Sequence, residues 1–283
     1  MNANTDIRFD PEKLIKSIVS AVTTDGVVKP EHFHYQKPSA DRPMIIVAAA
    51  PRSGSTFLTN VLSRITRLRY FRLCSGYSTN EHDLYLPALC FMNDTGCVSQ
   101  MHMKGTFHNA SLINLFGIKP LLLVRDIFDT VVSLLYDLRQ KENLPGYEIG
   151  SNGYSFLWLD KNTKNMEDDT LLDLIIDLAI PWYVNFYVSW YRLMEQKGVN
   201  GFWVNYENLM ADKENTIYTI LQYLDFPFEG NIDPEILEQK FDTFHKGESG
   251  RGRKILSNER QEKIRRLFSY YPDVDFSRYG LHE

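Results

Sequence analysis

Cysteine is scarce in this chain of 283 residues: Cys74, Cys90 and Cys97 are the only three. An odd, sparse set with no C-x-x-C pair makes a poor disulfide framework and no structural zinc signature. Neither His32 with His34 nor His102 with His108 has H-E-x-x-H spacing, so no metal is expected. Long hydrophobic runs are missing too. Met44–Pro51 and Leu121–Val124 fall far short of the about 20 residues that span a bilayer. Met1–Pro30 has no apolar core of the kind a signal peptide needs. A reducing, cytoplasmic setting with no membrane partner is the expectation. Basic excess is also lacking: 31 Lys and Arg face 36 Asp and Glu, for a formal net charge of -5. That balance argues against nucleic acid as a partner but allows a local cluster of cations around a small anion.

What is present suits an ordinary globular protein, with 43% hydrophobic and 24% charged residues. There is no internal repeat or low-complexity tract. Residues 1–43 read as an N-terminal helix (Pro11–Val22) and a proline-bounded loop. From residue 44 onward, apolar strand-length runs alternate with helical patterns. Met44–Ala50 is an uninterrupted strand of the type buried on both faces. Phe57, Leu58, Val61, Leu62 and Ile65 then mark a helix. Cys97–Lys104 is a second strand, followed by a helix over Ala110–Phe116. Pro120–Val124 is a third strand, and Asp126 caps the helix carrying Ile127, Val131, Leu134, Leu135 and Leu138. Asn143–Asp160 reads as a surface loop, Thr170–Gly198 as a long helical region kinked at Pro181. Phe202–Asn205 is a fourth strand, with a helix to about Leu224, and Ser257–Tyr271 is a last helix. Strand–helix alternation predicts a single α/β domain over 44–283, with a central parallel sheet flanked by helices. Its ligand belongs at the carboxyl ends of the strands. The helices of about 143–198 form an insertion suited to an acceptor molecule.

The segment Pro51–Thr56 (P-R-S-G-S-T) joins the first strand to its helix. Such a loop aims backbone N–H groups and the helix dipole at one point, where an anion is stabilised. Gly54 allows close approach, and Ser53, Ser55 and Thr56 add hydroxyls. Against G-x-x-x-x-G-K-[ST], Ala49 replaces the first Gly and Ser55 replaces the Lys that meets β- and γ-phosphates. The cation sits at Arg52 instead. Two further basic elements follow. Arg125 ends the third strand, with Ser133 two turns into the next helix. It can grip a phosphate bidentately or pair with Asp126 or Asp129. Phe244–Lys254 then collects Lys246, Arg251, Arg253 and Lys254 among Gly247, Gly250 and Gly252.

In this order, the three elements resemble the sulfotransferases that use 3′-phosphoadenosine 5′-phosphosulfate. Pro51–Phe57 resembles that family's 5′-phosphosulfate loop, P-K-S-G-T-T-W. Arg125 through Ser133 resembles the segment whose Arg and Ser hold the 3′-phosphate. His245–Gly250 is similar to the late R-K-G-x-x-G loop, and Phe202–Leu209 to the strand ending in Y-E-D-L, whose Tyr lines the nucleotide site. Arg52 stands where the family has Lys, Phe57 where it has the adenine-stacking Trp, and His245 where it has Arg. The resemblance implies a P-loop-like fold, with Arg52, Ser53, Gly54, Ser55, Thr56, Phe57, Arg125, Ser133, Tyr206, Lys246, Gly247 and Arg251 as nucleotide contacts. It also implies metal-free sulfuryl transfer to a hydroxyl or amine of a small molecule. The family's catalytic His ends a strand in K-T-H. Here His102, in Q-M-H, lies 23 residues before Arg125, whereas His108 lies 17 before it. His102 is the better match for a general base, with Lys104 and His108 as supporting or substitute groups. The alternatives are a magnesium-dependent P-loop kinase, against which the missing Lys counts, and a non-catalytic nucleotide-binding module.

Overall fold

The apolar run at Met44 forms strand β1 (Met44–Ala49), and all of it is buried. The structure is a computed structural model that describes residues 42–75, 81–142, 163–238 and 250–281. The expected helix at 11–22, the loop at 143–160 and the residues His245, Lys246 and Gly247 lie outside these. β1 pairs in parallel with β2 (Cys97–Met101) on one side, Met44 opposite Cys97. It pairs with β3 (Leu121–Val124) on the other, Val47 opposite Leu121. β4 (Phe202–Asn205) lies beyond β3, with Leu121 opposite Phe202, giving the order β2-β1-β3-β4. The chain therefore crosses from β1 in one direction and from β3 in the other. Their carboxyl ends flank a switch point, the crevice where such sheets take ligands. β2 ends at Met101 rather than Lys104, so His102 and Lys104 lie just past the sheet.

Alternation along each strand feeds two cores. Ile46, Ala48, Leu122 and Val124 face one, packed with helices α4 (Ile127–Glu142) and α6 (Ile180–Glu195). Ile45, Val47, Ala49, Leu121 and Leu123 face the other, with α1 (Ser55–Thr66) and α8 (Lys213–Tyr223). The short helices α2 (Leu86–Met92) and α3 (Phe107–Leu115) flank β2, α3 being capped by Thr106. The result is a single α/β domain.

Two further sequence expectations change in detail. The irregularity assigned to Pro181 lies before it: α5 (Asp168–Leu174) passes through one π-helical turn (Ile175–Ala179) into α6. The helix is continuous from Asp168 to Glu195, so Pro181 is an interior proline whose missing N–H breaks the ladder to the preceding turn, and the π-helical residues lie in that turn. The helix expected after β4 is two, α7 (Tyr206–Ala211) and α8, because the Asp212 side chain accepts from Asn215 N and restarts the helix. The helical stretch Asp168–Glu195 is apolar and long enough to cross a membrane by length and composition, yet 67% of its most apolar window is buried inside the fold. That burial marks a core helix. Near the C-terminus, α9 (Pro234–Leu237), α10 (Arg251–Ile255) and α11 (Asn258–Phe268) complete the described helices, Ser257 capping α11.

Candidate functional site

The turn between β1 and α1 is built from two left-handed residues, Arg52 (φ 65°) and Gly54 (φ 88°). A non-glycine residue there is uncommon, and such strain collects at functional turns. Gly54 is also the N-cap of α1, with no side-chain cap hydrogen bond and no acidic residue in the first turn. The helix entering from β3 differs. Asp126 Oδ1 accepts from Phe128 N at 2.9 Å and Asp129 N at 3.1 Å, closing the α4 N-terminus. Of the two helices at the switch point, α1 alone keeps its amides open to an external anion.

Around this turn the structure brings together most of the predicted residues. Ser53 is fully buried and its Oγ has no hydrogen-bond partner. Arg125 is 9% exposed; Nη1 donates to the carbonyl of Arg52 at 3.3 Å, while Nε is buried without a partner. The Arg125 guanidinium lies 4.5 Å from the centroid of the Tyr206 ring. That ring also abuts Gly54, where an added Cβ would come within 2.5 Å of Tyr206 Cδ2. Burial raises the Tyr206 hydroxyl pKa, and the nearby Arg125 charge acts in the lowering direction. Arg52 Nε donates to Ser133 Oγ at 3.3 Å and Nη1 to Asp137 Oδ1 at 2.7 Å. Arg52 and Ser133, expected to serve opposite ends of one ligand, thus touch each other. Phe57 is 8% exposed, part of the second core, with Lys213 Nζ 5.6 Å from its ring. Ser55 is buried, and Thr56 is partly exposed at the start of α1.

Asp126 is taken up by Arg253 and by the N-terminus of α4. Its Oδ2 pairs with Arg253 Nη1 at 2.5 Å, and its other oxygen caps α4. Asp129 accepts from Gly250 N at 2.8 Å and Gly252 N at 2.6 Å, which pins α10 against α4. Arg253 in turn ties Asp126 to the carbonyl of Gly280. Arg251 lies 5.1 Å from the Tyr136 ring; Tyr136 is three residues past Ser133 and so shares its helix face.

The two histidines part company. His108 is exposed on α3, its Nε2 3.0 Å from the carbonyl of Leu84. His102 reaches the base of the turn: Nδ1 is 2.8 Å from the carbonyl of Ala49. A carbonyl only accepts, so Nδ1 carries a proton, and in the neutral ring the lone pair is on Nε2, 3.5 Å from the Gln100 amide nitrogen. Lys104 pairs with Glu81 at 2.8 Å and lies 5.8 Å from the Trp182 ring centroid. Sequence reasoning missed Asp137, Tyr183, whose buried hydroxyl donates to Pro51 O at 3.1 Å, and His82 beside His102. Asp137 alone had a local signal, sitting four residues past Ser133 on one helix face.

A family profile described as "Sulfotransferase domain" matches residues 42–269. No curated protein sequence matches the chain. Among solved structures, a mouse sulfotransferase, SULT7A1, complexed with PAP aligns with a TM-score of 0.58 at 14% identity, over 86% of this chain and 88% of that one. Retinol dehydratase in complex with androsterone and PAP aligns with a TM-score of 0.55 at 16% identity, over 87% and 84%. These likenesses carry the fold.

Proposed function

The chain belongs to the sulfotransferase family, and from that footing we propose that it transfers a sulfuryl group from 3′-phosphoadenosine 5′-phosphosulfate to a hydroxyl or amine of a small molecule. One observation carries the reading. Ser53 Oγ and Arg125 Nε are both buried and unpartnered at the switch point, next to a helix N-terminus that no side chain caps. Buried donors without partners are rare and call for an anionic occupant. The amides of Gly54–Thr56 and the Ser53 hydroxyl would hold the 5′ side. Arg125 and Ser133, with Arg251 nearby, would hold the 3′-phosphate.

When bound, the nucleotide supplies an activated sulfuryl group whose bridging S–O bond breaks as the acceptor oxygen or nitrogen bonds to sulfur. The chain's task is then positioning and charge stabilisation. His102 Nε2 takes the acceptor proton, its tautomer set by the Nδ1 contact to Ala49 O. Arg52 neutralises charge gathering on the leaving 5′-phosphate, held ready by Asp137. We assign the acceptor to the side bounded by Lys104 and Trp182, whose buried indole Nε1 has no partner. The androsterone of one structural relative is a small apolar molecule of the class we have in mind. Sparse cysteine suits a cytoplasmic enzyme.

The test is transfer of label from the nucleotide donor to a panel of hydroxyl and amine acceptors. Turnover should appear without magnesium, and His102→Ala should lower it about 10²–10⁴-fold. A His102→Ala variant with full turnover removes the base; label transferred from ATP but not from the sulfonucleotide removes the reaction.

A further inference from the structure

β2 stops at Met101, and the next residue leaves the ladder in an unusual way. The register sets Ala48 opposite Met101, so one more step would place the His102 main chain opposite Ala49. Instead the His102 imidazole takes the Ala49 carbonyl at 2.8 Å. With a side chain in the ladder's place, the His102 main-chain N–H and C=O need other partners at a part-buried position. Both come from one residue. His82 N donates to His102 O at 3.1 Å, and His102 N donates to His82 Nδ1 at 2.9 Å. A main-chain N–H only donates, so His82 Nδ1 bears a lone pair. The two rings lie 5.5 Å apart at 29°, and His82 is 7% exposed.

The neighbours of His82 hold the same segment. Glu81 pairs with Lys104 at 2.8 Å, and Asp83 accepts from Asn109 Nδ2 at 2.9 Å. Asn109 Nδ2 also donates to the carbonyl of Lys104 at 2.9 Å. Three consecutive residues, 81–83, thus clamp the stretch from His102 to Asn109. His82 is the one of the three that grips the His102 backbone itself.

We propose that His82 is a positioning residue for His102: it satisfies the His102 main chain, which frees the imidazole to face Ala49 and keeps the lone pair on Nε2. This role rests on His102 acting as the base. In a His82→Ala variant kcat should fall about 10²-fold, with the affinity for 3′-phosphoadenosine 5′-phosphate unchanged. His82→Asn, whose Oδ1 can stand in for Nδ1, should recover most of the loss. Added to His102→Ala, the His82→Ala change should cost nothing further, because the two residues act as a unit.

A readout independent of turnover is the ¹⁵N spectrum of the His102 ring. The wild-type protein and His82→Asn should show one tautomer, protonated at Nδ1, and His82→Ala a mixture. A single unchanged tautomer in His82→Ala, or His82→Asn as impaired as His82→Ala, overturns the proposal. A mixed tautomer in His82→Ala together with full turnover in His102→Ala would uphold the contact and remove the base assignment instead.

Discussion

Gly54 meets two demands that no other residue satisfies together: a left-handed φ of 88° and contact with the Tyr206 ring. Gly54→Ala adds about 1–2 kcal/mol for the conformation and about 1–3 kcal/mol for the overpacked contact. Urea unfolding should show the sum, and adding Tyr206→Ala should return the second part and not the first. Glu207 carries a different strain. Its Oε1 accepts from Asp126 N at 2.9 Å, yet burial raises its carboxyl pKa above the ordinary 4.5. An acid with a raised folded-state pKa favours folding most below its unfolded pKa, and that contribution fades as pH climbs through the folded value. Above this window Glu207 is a buried charge. Glu207→Gln keeps an acceptor for Asp126 N and should be more stable than wild type near neutral pH, the gap closing as pH falls toward the carboxylate range. An equal gap at both ends of a chemical-denaturation pH series would contradict this. At this scale the sequence revealed the residues a local turn requires, Arg52, Ser53 and Gly54. Tyr183 and His82 stayed hidden, because their partners lie 132 and 20 positions away and nothing local announces either contact.

Helix α10 shows why elements cannot always be read one at a time. Among glycines and basic residues, Phe244–Lys254 reads by itself as a surface loop, or as an anion clamp where a doubly charged group lies opposite. The stretch from Gly250 is instead a seated helix. Its amides end on Asp129, and Gly252 lies so close to α4 that a Cβ would meet the Phe128 carbonyl carbon at 2.1 Å. Helix propensity alone would make Gly252→Ala stabilising by about 1 kcal/mol. Against a backbone atom that cannot yield, the opposite sign is expected: a loss of about 3 kcal/mol and faster amide exchange through Arg251–Ile255. Exchange unchanged from wild type would show that α10 can shift at little cost. β1, by contrast, was fully legible, since six buried residues in a row admit little besides a central parallel strand. β2 was overextended by three residues because alternation continues to Lys104 while the hydrogen-bond ladder does not.

For the whole molecule, the prediction concerns what fills the switch point. 3′-Phosphoadenosine 5′-phosphate at a hundredfold excess over its Kd should stabilise the fold by about 2.7 kcal/mol. That corresponds to a rise in Tm of about 5–10 °C for a domain of this size. Added salt should shrink the shift, because the contacts are ionic and partly open to solvent. Adenosine 5′-phosphate, which lacks the 3′ group, should give less, and ATP with magnesium less again. Equal shifts from all three would mean that Arg125 and Ser133 read no 3′-phosphate. The net charge of -5 carried no hint of this local cationic crevice, because composition averages over a surface while the arginines converge only in the fold.

One ring packs against both the Gly54 turn and the Arg125 guanidinium, and that guanidinium also meets the Arg52 carbonyl. Turn and strand end are thus braced as one wall by the face of Tyr206, a face that Phe would preserve and Ala would remove.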